Sequence, residues 1–124
     1  MKILIVDDSS FARSQIHKIL IKGGWAEADL VEAENGLLAL KILQSEKFDL
    51  LLLDWNMPEL SGMELVSKLR TMDAFRKLPV IMITSESDKL LLLEALKAGV
   101  TDHVGKPVDE KTLLDKIRKI FPAS

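Results

Sequence analysis

Short apolar runs alternate five times with segments of helical period, and this alternation constrains the fold more than any other feature of the chain. Ile3 to Val6, Asp29 to Ala33, Leu50 to Leu53, Val80 to Ile83 and Asp102 to Val104 are the predicted strands. Ser9 or Ser10 can cap a first helix with Ala12, Ile16, Ile19 and Leu20 on its apolar face, and Gly23-Gly24 stops it. Asn35-Gly36 turns into a second helix bearing Leu37, Leu40 and Leu43, and Met63 to Met72 is helical. Lys89 to Ala98 is a fourth helix ended by Gly99; Asp109 caps a fifth, with Leu113, Leu114, Ile117, Ile120 and Phe121 inside. Strands that are apolar without alternation are covered on both faces, which calls for helices on either side of a parallel sheet. Right-handed crossovers then favour an α/β, doubly wound sheet of five strands in the order 2-1-3-4-5. The chain has 124 residues, 48% of them hydrophobic, enough for one core, so a single domain over residues 1–124 is expected.

Bulk composition excludes several classes of function. The net charge of −2 leaves no general basic footprint for nucleic acid. There are no cysteines, which removes disulfides, zinc thiolates and cysteine nucleophiles. The apolar run before Asp7 is too short for a signal peptide or a membrane span. A cytoplasmic protein without membrane insertion is expected.

In such sheets ligands bind beyond the carboxyl ends of the strands, near the switch point between strands 1 and 3. Asp7 and Asp8 follow strand 1, Asp54 follows strand 3, Thr84 and Ser85 follow strand 4, and Lys106-Pro107 follows strand 5. Three carboxylates in one crevice repel each other by about a kcal/mol or more per pair. A hard divalent cation removes that penalty, and magnesium suits because it takes few carboxylates, keeps waters and leaves room for a phosphate oxygen. An aspartate can act as a nucleophile and form an acyl phosphate. Lys106 and the Thr84 hydroxyl would stabilise the oxygens of the group in transfer.

Taken together, Val6-Asp7-Asp8-Ser9, Asp54-Trp55-Asn56-Met57-Pro58, Ile83-Thr84-Ser85-Glu86 and Gly105-Lys106-Pro107 resemble the receiver domains of two-component response regulators, with the second stretch most like the stand-alone chemotaxis type. The resemblance covers essentially the whole chain. It implies a flavodoxin-like (βα)5 fold with Asp54 as phosphoacceptor. It also implies Mg2+ held by Asp8 directly, by Asp7 mainly through water, by Asp54 and by the Asn56 backbone carbonyl. Thr84 would swing toward the phosphoryl group and Lys106 would pair with it, entering the pocket through a cis Lys106–Pro107 bond. The phosphoryl donor would be a phosphohistidine on a sensor histidine kinase or a histidine phosphotransfer protein. The Asn56 and Glu86 side chains stand where family members tune hydrolysis of the acyl phosphate. His103 is a departure: the family usually carries Tyr or Phe there, turning inward on activation. A smaller, polar, titratable histidine reads equally as a switch or as an exposed edge-strand residue. His17 is expected on the solvated side of the first helix.

The chain ends soon after the fifth helix, so no output domain is expected, and the output would be binding to a downstream protein through the face made by helix 4, strand 5 and helix 5. Helix 4 holds Leu90, Leu91, Leu92 and Leu93 in a row. At about 100° per residue, Leu92, Leu93 and Leu96 share one side, Leu91 lies at the flank and Leu90 falls between Lys97 and Glu94. Leu90 is therefore expected to be exposed as a contact residue. An aspartate-nucleophile phosphohydrolase is the enzyme alternative, but such enzymes place an acid two residues after the nucleophile, where Asn56 stands. A flavin carrier of the same fold would set its phosphate against Asp7-Asp8. A scaffolding receiver that is never phosphorylated would lack Asp54 or Lys106, and both are present. The expected function is a phosphorylation-dependent switch, not an enzyme turning over a separate substrate.

Overall fold

The five apolar runs and their helical partners form five consecutive βα units in the computed structural model, which describes residues 1–57 and 59–122. The strands are β1 (Ile3–Val6), β2 (Leu30–Ala33), β3 (Leu50–Asp54), β4 (Val80–Thr84) and β5 (Asp102–Gly105). The helices are α1 (Ser10–Lys22), α2 (Gly36–Ser45), α3 (Gly62–Arg70), α4 (Lys89–Ala98) and α5 (Glu110–Ile120). The sheet is wholly parallel, in the order β2-β1-β3-β4-β5. Val6 pairs with Ala33 and with Leu53, and Asp54 with Ile83, so the strands end nearly level along one edge.

Two cores flank the sheet, and alternate residues of each strand feed them. Leu4, Val6, Leu51, Leu53, Val80 and Met82 pack with residues of α2, α3 and α4. Ile3, Ile5, Leu50, Leu52, Ile81 and Ile83 pack with residues of α1 and α5. This is why strands predicted from unbroken apolar runs are central and parallel.

Local chemistry sets the helix ends. Ser9 accepts from the Ala12 amide at 3.2 Å, Asn35 from Leu38 at 2.7 Å and Asp109 from Thr112 at 3.0 Å. Ser61 and Glu64 form a reciprocal capping box that starts α3. Gly99 closes α4 at φ 116°, a left-handed conformation that disfavours any other residue. Gly62 serves close approach instead, since a Cβ there would lie 2.5 Å from the Trp55 ring.

Three sequence expectations shift. Asp29 belongs to a 3₁₀ turn at 27–29 rather than to β2. Leu37 is exposed at the start of α2, where Ala39 and Leu43 are buried. In α4 the leucine face is misassigned: Leu90 is 70% exposed, as expected, but Leu93 (52%) and Leu96 (47%) are exposed as well. Ala95 is the buried residue of that helix and Leu92 is partly buried. A small side chain lets α4 approach the core, and one helical step of about 100° from Ala95 already turns Leu96 outward.

Candidate phosphoacceptor site

The level strand ends gather the chemistry-bearing residues that the sequence scattered. Asp7, Asp54 and Thr84 are the buried polar residues among those described, each at the carboxyl end of its strand. Asp8 is exposed beside them. One carboxylate oxygen from each of Asp7, Asp8 and Asp54 lies within 4.8 Å of the others. Lys106 reaches in from the loop after β5: its Nζ donates to Asp7 Oδ2 at 3.1 Å and lies 3.3 Å from Asp54 Oδ1. The Lys106 amide donates to the Thr84 carbonyl at 2.9 Å, and the Lys106–Pro107 peptide is cis, as expected.

The electrostatics are unbalanced. Burial, and then the charge of Asp7, push the Asp54 carboxyl up to about 6, while Lys106 and the Asn56 amide pull the other way. Burial also works against the Lys106 ammonium. The hydrogen bond to Asp7 and the charges of Asp54 and Asp7 outweigh it and hold the lysine above its ordinary value. Asp7 is otherwise held by the Ser9 amide on Oδ1, at 2.9 Å. Asp8 makes no ion pair or hydrogen bond among the described residues. One ammonium facing three carboxylates leaves a net negative pocket of hard oxygen donors, the donor set magnesium takes.

The surrounding groups differ in how far they point at this pocket. The Asn56 amide donates to Asp54 Oδ1 at 3.3 Å. Thr84 Oγ1 accepts from the Glu86 amide at 3.0 Å. The Glu86 carboxylate folds back to accept from the Ser87 and Asp88 amides, at 3.1 and 2.9 Å. A cleft of about 240 Å³ runs from Thr84 and Asn56 past Trp55 and Met63 to Leu91 of α4, linking the pocket to that helix. A second cleft, of about 900 Å³, lies at the opposite end of the sheet between Phe48 and Phe75 and is lined by none of these residues.

His103 stands on edge strand β5 with its side chain 40% exposed. Its carbonyl accepts from Lys116 Nζ, which also donates to Asp102 Oδ1 at 3.2 Å. His17 is a correction. It is not freely solvated: its side chain is 20% exposed, and Nε2 lies 2.8 Å from Glu27 Oε1. Arg13 was missed altogether. Its guanidinium donates to the Asp7 carbonyl at 2.5 Å and to Glu32 at 3.0 Å. The one sequence signal was its place, six residues after Asp7, where the first turn of α1 runs beside the β1 end.

The geometry has close counterparts. Residues 3–118 match the family described as response regulator receiver domain. The chain is 42% identical over 121 residues to the chemotaxis protein CheY of Pseudomonas aeruginosa, covering 98% of this chain and 96% of that one. It is 40% identical over 122 residues to chemotaxis protein CheY1 of Helicobacter pylori, at 98% and 97% coverage. Its backbone is similar to the crystal structure of chemotaxis protein CheY4 from Vibrio cholerae, with a TM-score of 0.88, 30% identity and coverage of 96% and 97%. Fold, strand-end carboxylates and full-length similarity agree, and the chain belongs to the receiver domains of response regulators, of the CheY type.

Proposed function

We propose that this receiver is a switch thrown by phosphorylation of Asp54. One observation carries the reading: a buried aspartate at the end of β3 has the Lys106 ammonium 3.3 Å from its Oδ1 and two further carboxylates within 4.8 Å. A carboxylate oxygen of Asp54 attacks the phosphorus of a phosphohistidine on a sensor histidine kinase or histidine phosphotransfer protein. The P–N bond breaks, the imidazole leaves, and an acyl phosphate remains on Asp54. Asp8, Asp54, the Asn56 carbonyl and, through water, Asp7 would hold Mg2+. When bound, the cation neutralises the carboxylates and the phosphoryl oxygens. Lys106 then exchanges its carboxylate partners for a phosphoryl oxygen, and Thr84 turns its hydroxyl from the Glu86 amide toward the same group.

Movement of Thr84 is the step that reaches the surface. It alters the wall of the cleft that leads to Leu91 and the space beside His103 on β5. The output face is α4, β5 and α5, where Leu90, Leu91, Leu93 and Leu96 offer apolar contact to a downstream protein. Asn56 and Glu86 flank the mouth of the pocket and tune hydrolysis of the acyl phosphate. The folded-back Glu86 carboxylate must leave its loop amides to do so.

The test is intact-mass analysis after incubation with acetyl phosphate and magnesium. Wild type should gain one phosphoryl group and Asp54→Asn none. Labelling of Asp54→Asn at the wild-type rate would refute the assignment. Lys106→Ala should still bind magnesium but be labelled poorly.

A further inference from the structure

The Asp7 carbonyl lies one residue beyond the last register pair of β1, which is Val6 with Ala33 and Leu53. The Asp7 amide still reaches the Ala33 carbonyl, at 3.2 Å. The carbonyl is met by a side chain instead: Arg13 Nη1 donates to it at 2.5 Å. The Arg13 side chain is only 15% exposed and is itself aimed, because its Nε donates to Glu32 Oε1 at 3.0 Å. Glu32 belongs to edge strand β2, and its second oxygen lies 3.2 Å from His17 Nδ1, off the axis of a hydrogen bond. A chain of charged groups from β2 and α1 thus ends on one peptide, the one joining Asp7 to Asp8.

That peptide matters because of what it carries. It is planar, so a hydrogen bond to its oxygen orients the whole unit, including the amide and Cα of Asp8. The Asp7 carboxylate is fixed independently by the Ser9 amide and Lys106. The Asp8 carboxylate is held by no other group among the described residues, so only its backbone and its own staggered rotamers set where it points. We propose that Arg13 is a positioning residue for the carboxylate cluster: its bond to the Asp7 carbonyl sets the Asp7–Asp8 peptide and so aims Asp8, and Glu32 aims Arg13. The role requires a rigid fork with donors on two edges, which a lysine ammonium does not supply. The inference rests on the reading of the cluster as a magnesium site.

The experiment is magnesium titration followed by Trp55 fluorescence, with every protein carrying Trp25→Phe and with thermal melts to confirm folding. Groups that orient metal ligands without touching the metal change its affinity by about 10- to 100-fold. Arg13→Ala should weaken magnesium binding by about tenfold or more, and Arg13→Lys by nearly as much, with cooperative melting retained. Glu32→Gln should weaken it by about threefold alone and add nothing further to Arg13→Ala, the non-additivity of groups acting in series. Arg13→Gln serves if Arg13→Ala does not fold. A folded Arg13 variant that binds magnesium like wild type overturns the inference. So does full restoration by Arg13→Lys, which would reduce the effect to charge, or an undiminished Glu32→Gln effect in the Arg13→Ala background. Asp8→Ala separates the two levels. If wild type shows no saturable response, or Asp8→Ala keeps it, the magnesium-site reading fails and this inference with it. If both behave as expected while Arg13→Ala is silent, only the inference fails.

Discussion

Leu50–Leu53 and Asp54 belong to one strand and are about equally buried, yet they answer to opposite physics. The leucines are fully buried between the two cores, where packing and removal of apolar surface from water both favour them. Asp54, one residue on, is 3% exposed and its charged form is disfavoured by that same burial and by Asp7. The interior of the strand stabilises the fold; its last residue is an instability that the interior holds in place. A negative charge buried without full compensation is one that a cation would relieve, whereas a leucine is indifferent to ions.

The largest effect should come from the interior. Leu52→Ala removes a fully buried side chain at the centre of the sheet and should cost about 2–5 kcal/mol in urea unfolding. A loss under about 1 kcal/mol would mean that the strand interior is not what holds the site. At the strand end the sign should reverse. The Asp54 carboxyl titrates near 6 in the folded chain, above its ordinary value of 3.8, so the folded state holds the proton more tightly than the unfolded one. The contribution of Asp54 to the stability of the metal-free protein therefore falls as pH rises from 3.8 to 6, and its full cost is present above 6. Metal-free Asp54→Asn should be more stable than wild type by about 1–3 kcal/mol at pH 7–8. The advantage should shrink as pH falls toward 4, and magnesium should reverse it by stabilising wild type alone. An advantage independent of pH would break the comparison. The smallest effect belongs to the surface of α4: Leu90→Lys and Leu93→Lys should each leave stability within about 0.5 kcal/mol of wild type. A cost near that of Leu52→Ala would place those leucines in the core.

The elements and their order were legible because they rest on short-range rules. Unbroken apolar runs imply strands buried on both faces, and Asn35, Asp109 and Gly99 mark helix ends through bonds to residues three or four positions away. The candidate site was legible for a related reason: in a parallel βα sheet every strand ends on the same edge, so residues that follow strands must converge there. Which residues surround that site was not legible to the same degree. Arg13 with Glu32 and His17 with Glu27 depend on where α1 lies over the β2 edge, a matter of packing between segments distant in sequence. Arg70, whose guanidinium donates to the Gly99 and Phe75 carbonyls, depends likewise on how the ends of α3 and α4 meet.

The sequence alone determined the five βα units, the strand order and the convergence of Asp7, Asp8, Asp54, Thr84 and Lys106, because each follows from local periodicity and the handedness of crossovers; the family likeness came instead from a resemblance carried by the motifs at the strand ends. The tertiary structure alone decided the rotation of α4, the retreat of Glu86 onto its own loop and the grip of Arg13 on the Asp7 carbonyl. Hydrophobic periodicity names a helix's apolar residues but not which of them meets the sheet. In α4 the answer was Ala95, because close approach favoured the smallest side chain and turned four leucines toward solvent.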